Sequence, residues 1–394
     1  MTARSAMMPF PARLRTELKL DPILLTIVTT LLLGGLVILA SASITISDNA
    51  TGNPFFYLER QLLAAAIGIF AAAVCLFIPM RVWQSIGPLM LLVGLALLCV
   101  VLVPGVGFEV NGATRWVRVG SMNLQVSEPA RLCFFIYMAG YVVRQQKALR
   151  EQFVGFLRPM LVLSLACALL LAEPDFGAAI VLLATALVML FVAGARIRDF
   201  ILFFSVAVIG IAILTLTSAY RMKRLTGFLD PWADPYASGF QLTQSLIAIG
   251  RGEWFGVGLG DGVQKLFYLP EAHTDFVFAV FAEEFGLLGS VVLIALFLAL
   301  LWRVFKLAMR AADSERFFEA YLAIGIGTWL GLQAFINVGV NMGLLPTKGL
   351  TLPLISYGRS SLIVTLAAIG LLLRIHHEVV VDARPVNRKR RRKS

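Results

Sequence analysis

The sequence predicts an all-α polytopic membrane protein with about ten transmembrane helices and both termini in the cytoplasm. Hydrophobic residues make up 59% of the 394 residues and charged residues only 14%. The apolar residues form runs of about 18 to 25, the length that a helix needs to cross a bilayer. Basic residues concentrate at both chain ends and in alternate loops, as they do on the cytoplasmic side of membrane proteins.

The predicted spans divide the chain into three parts. They cover residues 22–44, 61–79, 84–103, 127–143, 157–172, 175–194, 199–218, 276–302, 318–341 and 353–374. We therefore expect a cytoplasmic N-terminal tail at 1–21, a membrane domain at 22–375 and a basic cytoplasmic C-terminal tail at 376–394. A large outer loop, residues 219–275, separates the seventh and eighth spans.

The formal net charge of +11 raises the question of a nucleic-acid partner. The positions of the basic residues argue against one, because they follow the predicted membrane topology. The terminal cluster Arg388–Lys393 is typical of an anchor for anionic lipids. We therefore predict membrane lipids, and no nucleic acid, as binding partners of these charges.

Asp275 is the main catalytic candidate. It ends the large outer loop and immediately precedes the eighth span, where partial desolvation can tune the proton affinity of a carboxylate. Glu271 and His273 alternate with it, so an extended backbone would put all three side chains on one face. Such a face could bind a divalent cation such as Mg²⁺ or Mn²⁺, as could Asp175 in a predicted outer hairpin. A histidine that simply fixes the loop is the alternative.

Other polar groups are expected at the outer ends of the helices. Glu128 and Arg131 lie three residues apart at the start of the fourth span, so they form either a local ion pair or part of a binding site. The turn into the last span carries Lys348, Ser356 and Ser360, which together with Glu271 and His273 are candidate substrate-binding residues.

Glycines alternate from Gly256 to Gly262 in the large outer loop. No strand precedes them and no helix immediately follows, which argues against a nucleotide-binding loop. We expect a loop whose exposed backbone allows a bulky headgroup to approach closely.

Several motifs together resemble the SEDS (shape, elongation, division and sporulation) family. They occur in the family's order and spacing and cover nearly the whole chain: Asn111–Ala113 with Arg115–Trp116, Gln125–Glu128, Pro174–Gly177, Gln264–Lys265 with Tyr268–Phe276, and Pro353–Ser361. The stretch Leu345–Pro353 is more similar to the division branch of the family than to its elongation branch.

The resemblance implies a peptidoglycan glycosyltransferase at the division septum, in the bacterial cytoplasmic (inner) membrane. Members polymerise lipid II, a disaccharide-pentapeptide on undecaprenyl pyrophosphate, at the outer membrane face. The family's essential aspartate falls on Asp275, the proposed general base. Its substrate-cavity charges fall on the following residues: Arg60, Arg115, Glu128 and Arg131. Lys265 and Lys348 are further candidates for stabilising the pyrophosphate leaving group.

The resemblance also implies partners and reveals departures. The expected partners are the undecaprenyl-pyrophosphate-linked glycan, a class B transpeptidase (an FtsI-type penicillin-binding protein) and divisome regulators. The family commonly has Lys at the position of Arg131, Pro at that of Val126 and Gly at that of Arg359. The last difference introduces a large cation beside the expected cavity.

Two other functions are compatible with the sequence. A lipid II flippase would need polar groups along a path through the membrane, and Glu283 and Glu284, about two helical turns below Asp275, could belong to one. A non-catalytic scaffold for the septal machinery would leave the acidic motif at Asp275 unexplained.

Overall fold

The computed structural model describes residues 18–110, 113–120, 122–217, 222, 227–237, 239–346 and 349–391. Residues 1–17 of the predicted N-terminal tail, parts of the large outer loop, and Lys348 lie outside the described residues. The helices are α1 (Pro22–Thr51), α2 (Phe56–Phe77), α3 (Met80–Ser85), α4 (Gly87–Val101), α5 (Ser127–Arg144), α6 (Gln146–Glu151), α7 (Phe153–Ala172), α8 (Phe176–Val192), α9 (Ile197–Leu216), α10 (Phe240–Arg251), α11 (Val277–Asp313), α12 (Phe317–Asn341) and α13 (Arg359–Arg391).

Each predicted apolar run coincides with a helix, although some bounds differ. Within the described part of the chain, six helices are long and apolar enough to cross a membrane, and α4 and α8 are shorter apolar helices. The hydrophobic run that defined the eighth span ends at residue 302, but the backbone hydrogen bonding of helix α11 continues to Asp313. Helix α13 begins at Arg359 instead of residue 353, because the backbone of Leu354 has a left-handed φ of 67° that a right-handed helix cannot contain.

The segment between α4 and α5 corrects the all-α prediction. It forms a three-stranded antiparallel sheet of β1 (Gly107–Val110), β2 (Ala113–Val119) and β3 (Met122–Gln125), in the order β1-β2-β3. Trp116 on the central strand pairs with Phe108 and with Gln125 on its two neighbours. The β-branched and aromatic residues of β2 favour a strand over a loop.

Buried polar contacts hold α1 against α11 at two levels. At one end Arg303 Nε donates to Asp21 Oδ2 at 2.6 Å. At the other end Glu284 Oε1 accepts from Lys265 Nζ and from Ser41 Oγ, each at 2.6 Å. Asp21 and Ser41 are about 30 Å apart along α1, at about 1.5 Å per residue, and Glu284 and Arg303 are about as far apart along α11. This distance matches the thickness of the hydrocarbon core of a bilayer, so the two contacts are spaced to lie at its opposite boundaries.

Helix α11 is broken at Gly286, whose backbone has φ 65° and ψ −163°. Residues 253–258 supply hydrogen-bond partners at the break; for example, Val257 N donates to Glu283 O at 3.0 Å. Gly256 comes so close that a Cβ atom would lie 2.1 Å from the carbonyl oxygen of Glu284. The glycine-rich loop was expected to admit a headgroup. In the structure its glycine allows the loop backbone to pack against α11.

Candidate functional site

Asp275 lies where the large outer loop turns into α11. The backbone N–H groups of Thr274 and Phe276 both donate to Glu271 O at 3.1 Å. Glu271 itself has a φ of 55°. The segment is therefore a turn, and the extended backbone that would have aligned Glu271, His273 and Asp275 on one face is wrong.

Side-chain amides from α12 hold the backbone of Asp275. Its carbonyl oxygen accepts from Asn337 Nδ2 at 2.8 Å and from Asn341 Nδ2 at 2.9 Å. Both asparagines are buried. The Asp275 carboxylate packs against the segment that leads to α13. Gly349 in this segment is so close that a Cβ atom added to it would lie 3.2 Å from Asp275 Oδ2. The carboxylate is thus placed by α12 and by this segment together.

The same face of α12 continues as a ladder of buried polar side chains at four-residue spacing. Gln333 Oε1 accepts from Trp329 Nε1 at 2.8 Å, and Gln333 Nε2 donates to Thr351 O at 3.0 Å. The guanidinium carbon of Arg131 lies 5.5 Å from the centre of the Trp329 ring. We name the residues Trp329, Gln333, Asn337 and Asn341 the amide ladder. Sequence reasoning missed it, although polar residues at i, i+4 and i+8 in an apolar helix were its visible signal.

Glu128 and Arg131 form the local ion pair that was one of the two sequence interpretations. Arg131 Nη2 contacts Glu128 Oε1, and both side chains are almost fully buried. Within the described residues, Arg131 Nε and Nη1 and Glu128 Oε2 have no hydrogen-bond partner. Buried charged atoms normally have partners, so this pair retains the capacity to bind a polar group.

Asp175 has a structural role in the described residues. It caps α8 by accepting from Ala178 N at 3.1 Å, and its second oxygen accepts from Ser127 Oγ at 3.0 Å and Gln125 Nε2 at 3.2 Å. The carboxylate therefore ties α8 to the start of α5 and to β3.

Glu173 and Arg115 lie beside this cap. Arg115 Nε donates to Glu173 O at 3.3 Å and its Nη2 donates to Pro174 O at 2.5 Å. The Glu173 carboxylate is buried, and neither of its oxygens has a hydrogen-bond partner among the described residues. Burial, and secondly the nearby charge of Asp175, raise the pKa of Glu173 to about 8. This carboxyl group is therefore largely protonated at neutral pH.

The predicted metal ligands do not converge. No group of three His, Cys, Asp or Glu side chains in the described parts of the chain is placed to hold a metal ion. Asp175 is engaged as a helix cap, and Glu271 Oε2 accepts from Thr274 Oγ1 at 2.6 Å. Among the described residues, these side chains therefore do not form a site for Mg²⁺ or Mn²⁺.

His273 belongs to an aromatic cluster. Its ring centre lies 4.7 Å from that of Tyr57 and 5.7 Å from that of Tyr357, and its carbonyl accepts from Tyr357 N at 2.9 Å. Burial lowers the pKa of His273, and the charge of Glu271 opposes this effect only partly. A neutral histidine that fixes the loop, the alternative interpretation of the sequence, accounts for these contacts.

Three predicted substrate ligands are engaged within the protein. Lys265 forms the buried ion pair with Glu284 in the first turns of α11. Ser356 Oγ accepts from Leu352 N at 2.8 Å, and Ser360 Oγ accepts from Gln125 N at 2.9 Å. All three side chains are buried. Their burial and these internal bonds favour positioning roles for the three side chains.

The comparisons with known proteins agree with this architecture. The profile of the family described as cell cycle protein, which includes FtsW, RodA and SpoVE, matches residues 22–380. The chain is 57% identical over 357 residues to the probable peptidoglycan glycosyltransferase FtsW of Thioalkalivibrio sulfidiphilus, covering 90% of this chain and 89% of that protein. It is 56% identical over 363 residues to the protein of the same name from Alkalilimnicola ehrlichii, covering 90% and 89%.

Solved structures give the same result. The chain is similar to one from a peptidoglycan synthase complex that coordinates polymerization and crosslinking, with a TM-score of 0.73 and 34% identity, covering 92% of this chain and 99% of that one. It is similar to the rod shape determining protein RodA of Thermus thermophilus, with a TM-score of 0.67 and 30% identity, covering 91% and 97%. The chain is a multi-pass membrane protein that belongs to the FtsW, RodA and SpoVE family of cell cycle proteins.

Proposed function

We propose that this protein is a peptidoglycan glycosyltransferase that polymerises lipid II at the outer face of the bacterial cytoplasmic membrane during septal cell-wall synthesis. The relatives' names support the activity. The observation that carries the assignment to a site is the placement of Asp275 between the amide ladder and the segment before α13. The proposal includes about ten spans with both termini in the cytoplasm, which would put Asp275 on the outer side.

The proposed reaction needs one base. Asp275 accepts the proton of a sugar hydroxyl as that oxygen attacks the anomeric carbon of the lipid-linked donor. The new glycosidic bond forms while the bond to the pyrophosphate breaks, and the pyrophosphate leaves with the bonding electron pair. A single displacement of this kind inverts the anomeric configuration, so an α-linked donor gives a β-linked product. Arginine donors at the outer helix ends stabilise the developing negative charge.

A partner transpeptidase is part of the proposal. A solved neighbour comes from a complex that couples polymerization to crosslinking. We therefore expect this chain to work with a class B penicillin-binding protein and with divisome regulators.

The structure weakens the rival flippase hypothesis. Glu283 and Glu284 were the acids that could have lined a path through the membrane. Glu283 accepts from Val263 N at 3.0 Å and Gln264 N at 3.2 Å, and Glu284 pairs with Lys265. Both acids thus hold the outer loop to α11, near one membrane boundary.

The test is lipid II polymerisation by the purified protein with its transpeptidase partner, comparing wild type with Asp275→Asn. We expect a loss of at least about a hundredfold in rate, the usual contribution of a general base. Asp261→Asn is the matched control, because Asp261 is exposed on the same loop. A folded Asp275→Asn protein with wild-type activity would refute the base assignment. If wild type made no glycan but moved lipid II across liposomes, the flippase hypothesis would replace the transferase.

A further inference from the structure

A side-chain amide of α2 is hydrogen-bonded to the loop that lies beside the turn of Asp275. Gln61 belongs to the second turn of α2, and its side chain is buried, with 2% exposed. Its Nε2 donates to Ser356 O at 3.1 Å, and its Oε1 accepts from Gly358 N at 3.3 Å. These two partners flank Tyr357, so one amide holds the backbone on both sides of this residue. We name this pair of hydrogen bonds the Gln61 clamp.

The clamped loop is in turn hydrogen-bonded to the turn that carries Asp275. The backbone N–H of Tyr357, between the two clamped groups, donates to His273 O at 2.9 Å. His273 lies two residues before Asp275. Tyr57 lies one helical turn before Gln61 on α2, and its ring centre is 4.7 Å from that of His273. Two neighbouring positions of α2 therefore reach this turn, one through the loop and the other directly.

The loop has no regular secondary structure of its own. Residues 352–358 precede α13, and Leu354 among them has a left-handed φ of 67°. A segment without helix or strand depends on other groups to satisfy its backbone donors and acceptors. Ser356 Oγ accepts from Leu352 N at 2.8 Å near the start of the loop, and the Gln61 clamp bonds near its end. The clamp is therefore one of the contacts that define the path of this loop.

Helices α2 and α13 pack closely at positions far from the clamp. A Cβ atom on Gly68 would lie 2.6 Å from Leu366 Cδ1, and one on Gly370 would lie 2.3 Å from Ala72 O. Both partners of the Gln61 amide are instead backbone groups that precede α13. The amide therefore acts on the loop and not on the packing of the two helices.

The neighbouring Arg60 has a different contact. Its guanidinium carbon lies 4.0 Å from the centre of the Phe56 ring, and its side chain is half-buried. Successive residues of a helix are about 100° apart around its axis, so Arg60 and Gln61 lie on different faces of α2. The contacts of Gln61 are therefore separate from the substrate charge that the sequence assigned to Arg60.

We propose that Gln61 is a positioning residue for the proposed base, Asp275. The inference rests on the proposed function and deepens it, because it gives the turn of Asp275 a second support. The amide ladder holds the carbonyl of Asp275 from α12. The Gln61 clamp holds the same turn from α2, through Tyr357 and the carbonyl of His273. A base that is held from two sides keeps the short distance to the attacking hydroxyl that proton transfer requires.

The first test is polymerisation of lipid II by the full-length protein with its transpeptidase partner. Gln61→Met keeps an unbranched side chain of similar length and removes both hydrogen bonds. We expect kcat to fall by about tenfold or more with KM within about twofold of wild type, because a displaced base lowers the rate without weakening binding. Gln61→Glu should retain more of kcat, since a carboxyl oxygen can still accept from Gly358 N. Gln61→Leu, which also lacks both bonds, replaces Gln61→Met if the latter does not fold.

The second test is hydrogen exchange of the purified proteins, which requires no turnover. The backbone N–H groups of Thr274 and Phe276 donate to Glu271 O, so their exchange reports how often the turn opens. Gln61→Met should speed exchange in peptides covering residues 271–276 by about tenfold, as expected for the loss of two ordinary hydrogen bonds. Peptides from the centre of α13 should exchange as in wild type.

Gln152→Met is the matched control. Gln152 is exposed, and its side chain makes no capping hydrogen bond to α7, so this variant should match wild type in both tests. An unchanged kcat for Gln61→Met, or a raised KM with unchanged kcat, would overturn the proposal. So would a lowered kcat with wild-type exchange at residues 271–276. If wild type made no glycan while Gln61→Met still sped exchange there, the proposed function would fail and the coupling of Gln61 to the turn would stand.

Discussion

Replacing Lys265 by methionine separates a structural role of this lysine from a role in substrate binding. Lys265 and Glu284 are 5% and 1% exposed, and their charged atoms lie 2.6 Å apart. Removing one partner of a buried pair typically costs about 3–5 kcal/mol, because the other charge stays buried without compensation. Glu284 Oε1 would keep the Ser41 hydroxyl at 2.6 Å, so we expect the lower end, about 3 kcal/mol.

Adding Glu284→Gln to Lys265→Met should recover most of this loss, because a neutral amide needs no counter-ion. The assay is thermal unfolding of the purified proteins followed by tryptophan fluorescence, arranged as a double-mutant cycle.

Arg251→Met is the control. Arg251 Nε lies 3.7 Å from Glu283 Oε1 and its side chain is 44% exposed, so its loss should cost less than about 1 kcal/mol. A Lys265→Met protein that unfolds at the wild-type temperature but has a raised KM for lipid II would refute the reasoning. Lys265 would then be a substrate ligand, as the sequence first predicted.

Two further predictions concern the candidate site. Asn341→Ala removes one of the two side-chain amides that hold the carbonyl of Asp275. The kcat of polymerisation should then fall by about tenfold or more with little change in KM, because a misplaced base reacts more slowly. An unchanged kcat would contradict the positioning role of Asn341. The pKa of Glu173 is about 8 in the folded protein, above its ordinary value of 4.5. Between pH 4.5 and 8 the folded protein therefore holds a proton that the unfolded chain has released. The free energy of unfolding falls as the pH rises through this range. Melting curves should therefore show Glu173→Gln gaining up to about 3 kcal/mol on wild type between about pH 5.5 and 7.5, while Glu151→Gln, at an exposed position, follows wild type throughout.

Some features of the site could be predicted because their signals are local. Glu128 and Arg131 lie three residues apart on one helix, and the spacing alone brings them together. The position of Asp275 before an apolar helix was also visible in the chain. The amide ladder has an equally local signal, since its members share one face of α12, but its partner, the backbone of Asp275, is more than 60 residues away.

Other features have no local signal. Lys265 pairs with Glu284 and Ser41, and Ser41 is 224 residues distant in sequence. Nothing in the neighbourhood of Lys265 distinguishes a buried ion pair from a ligand for substrate phosphates, because both need the same positive charge.

By itself the sequence determined that the protein is built from apolar helices and that its distinctive polar groups lie at their ends. Hydrophobic length is a property of consecutive residues, and it is read without knowledge of the neighbours. Only the tertiary structure decided which of these charges are neutralised inside the protein. That outcome depends on contacts between distant segments, as the bonds of Lys265 to Glu284 and to Ser41 demonstrate.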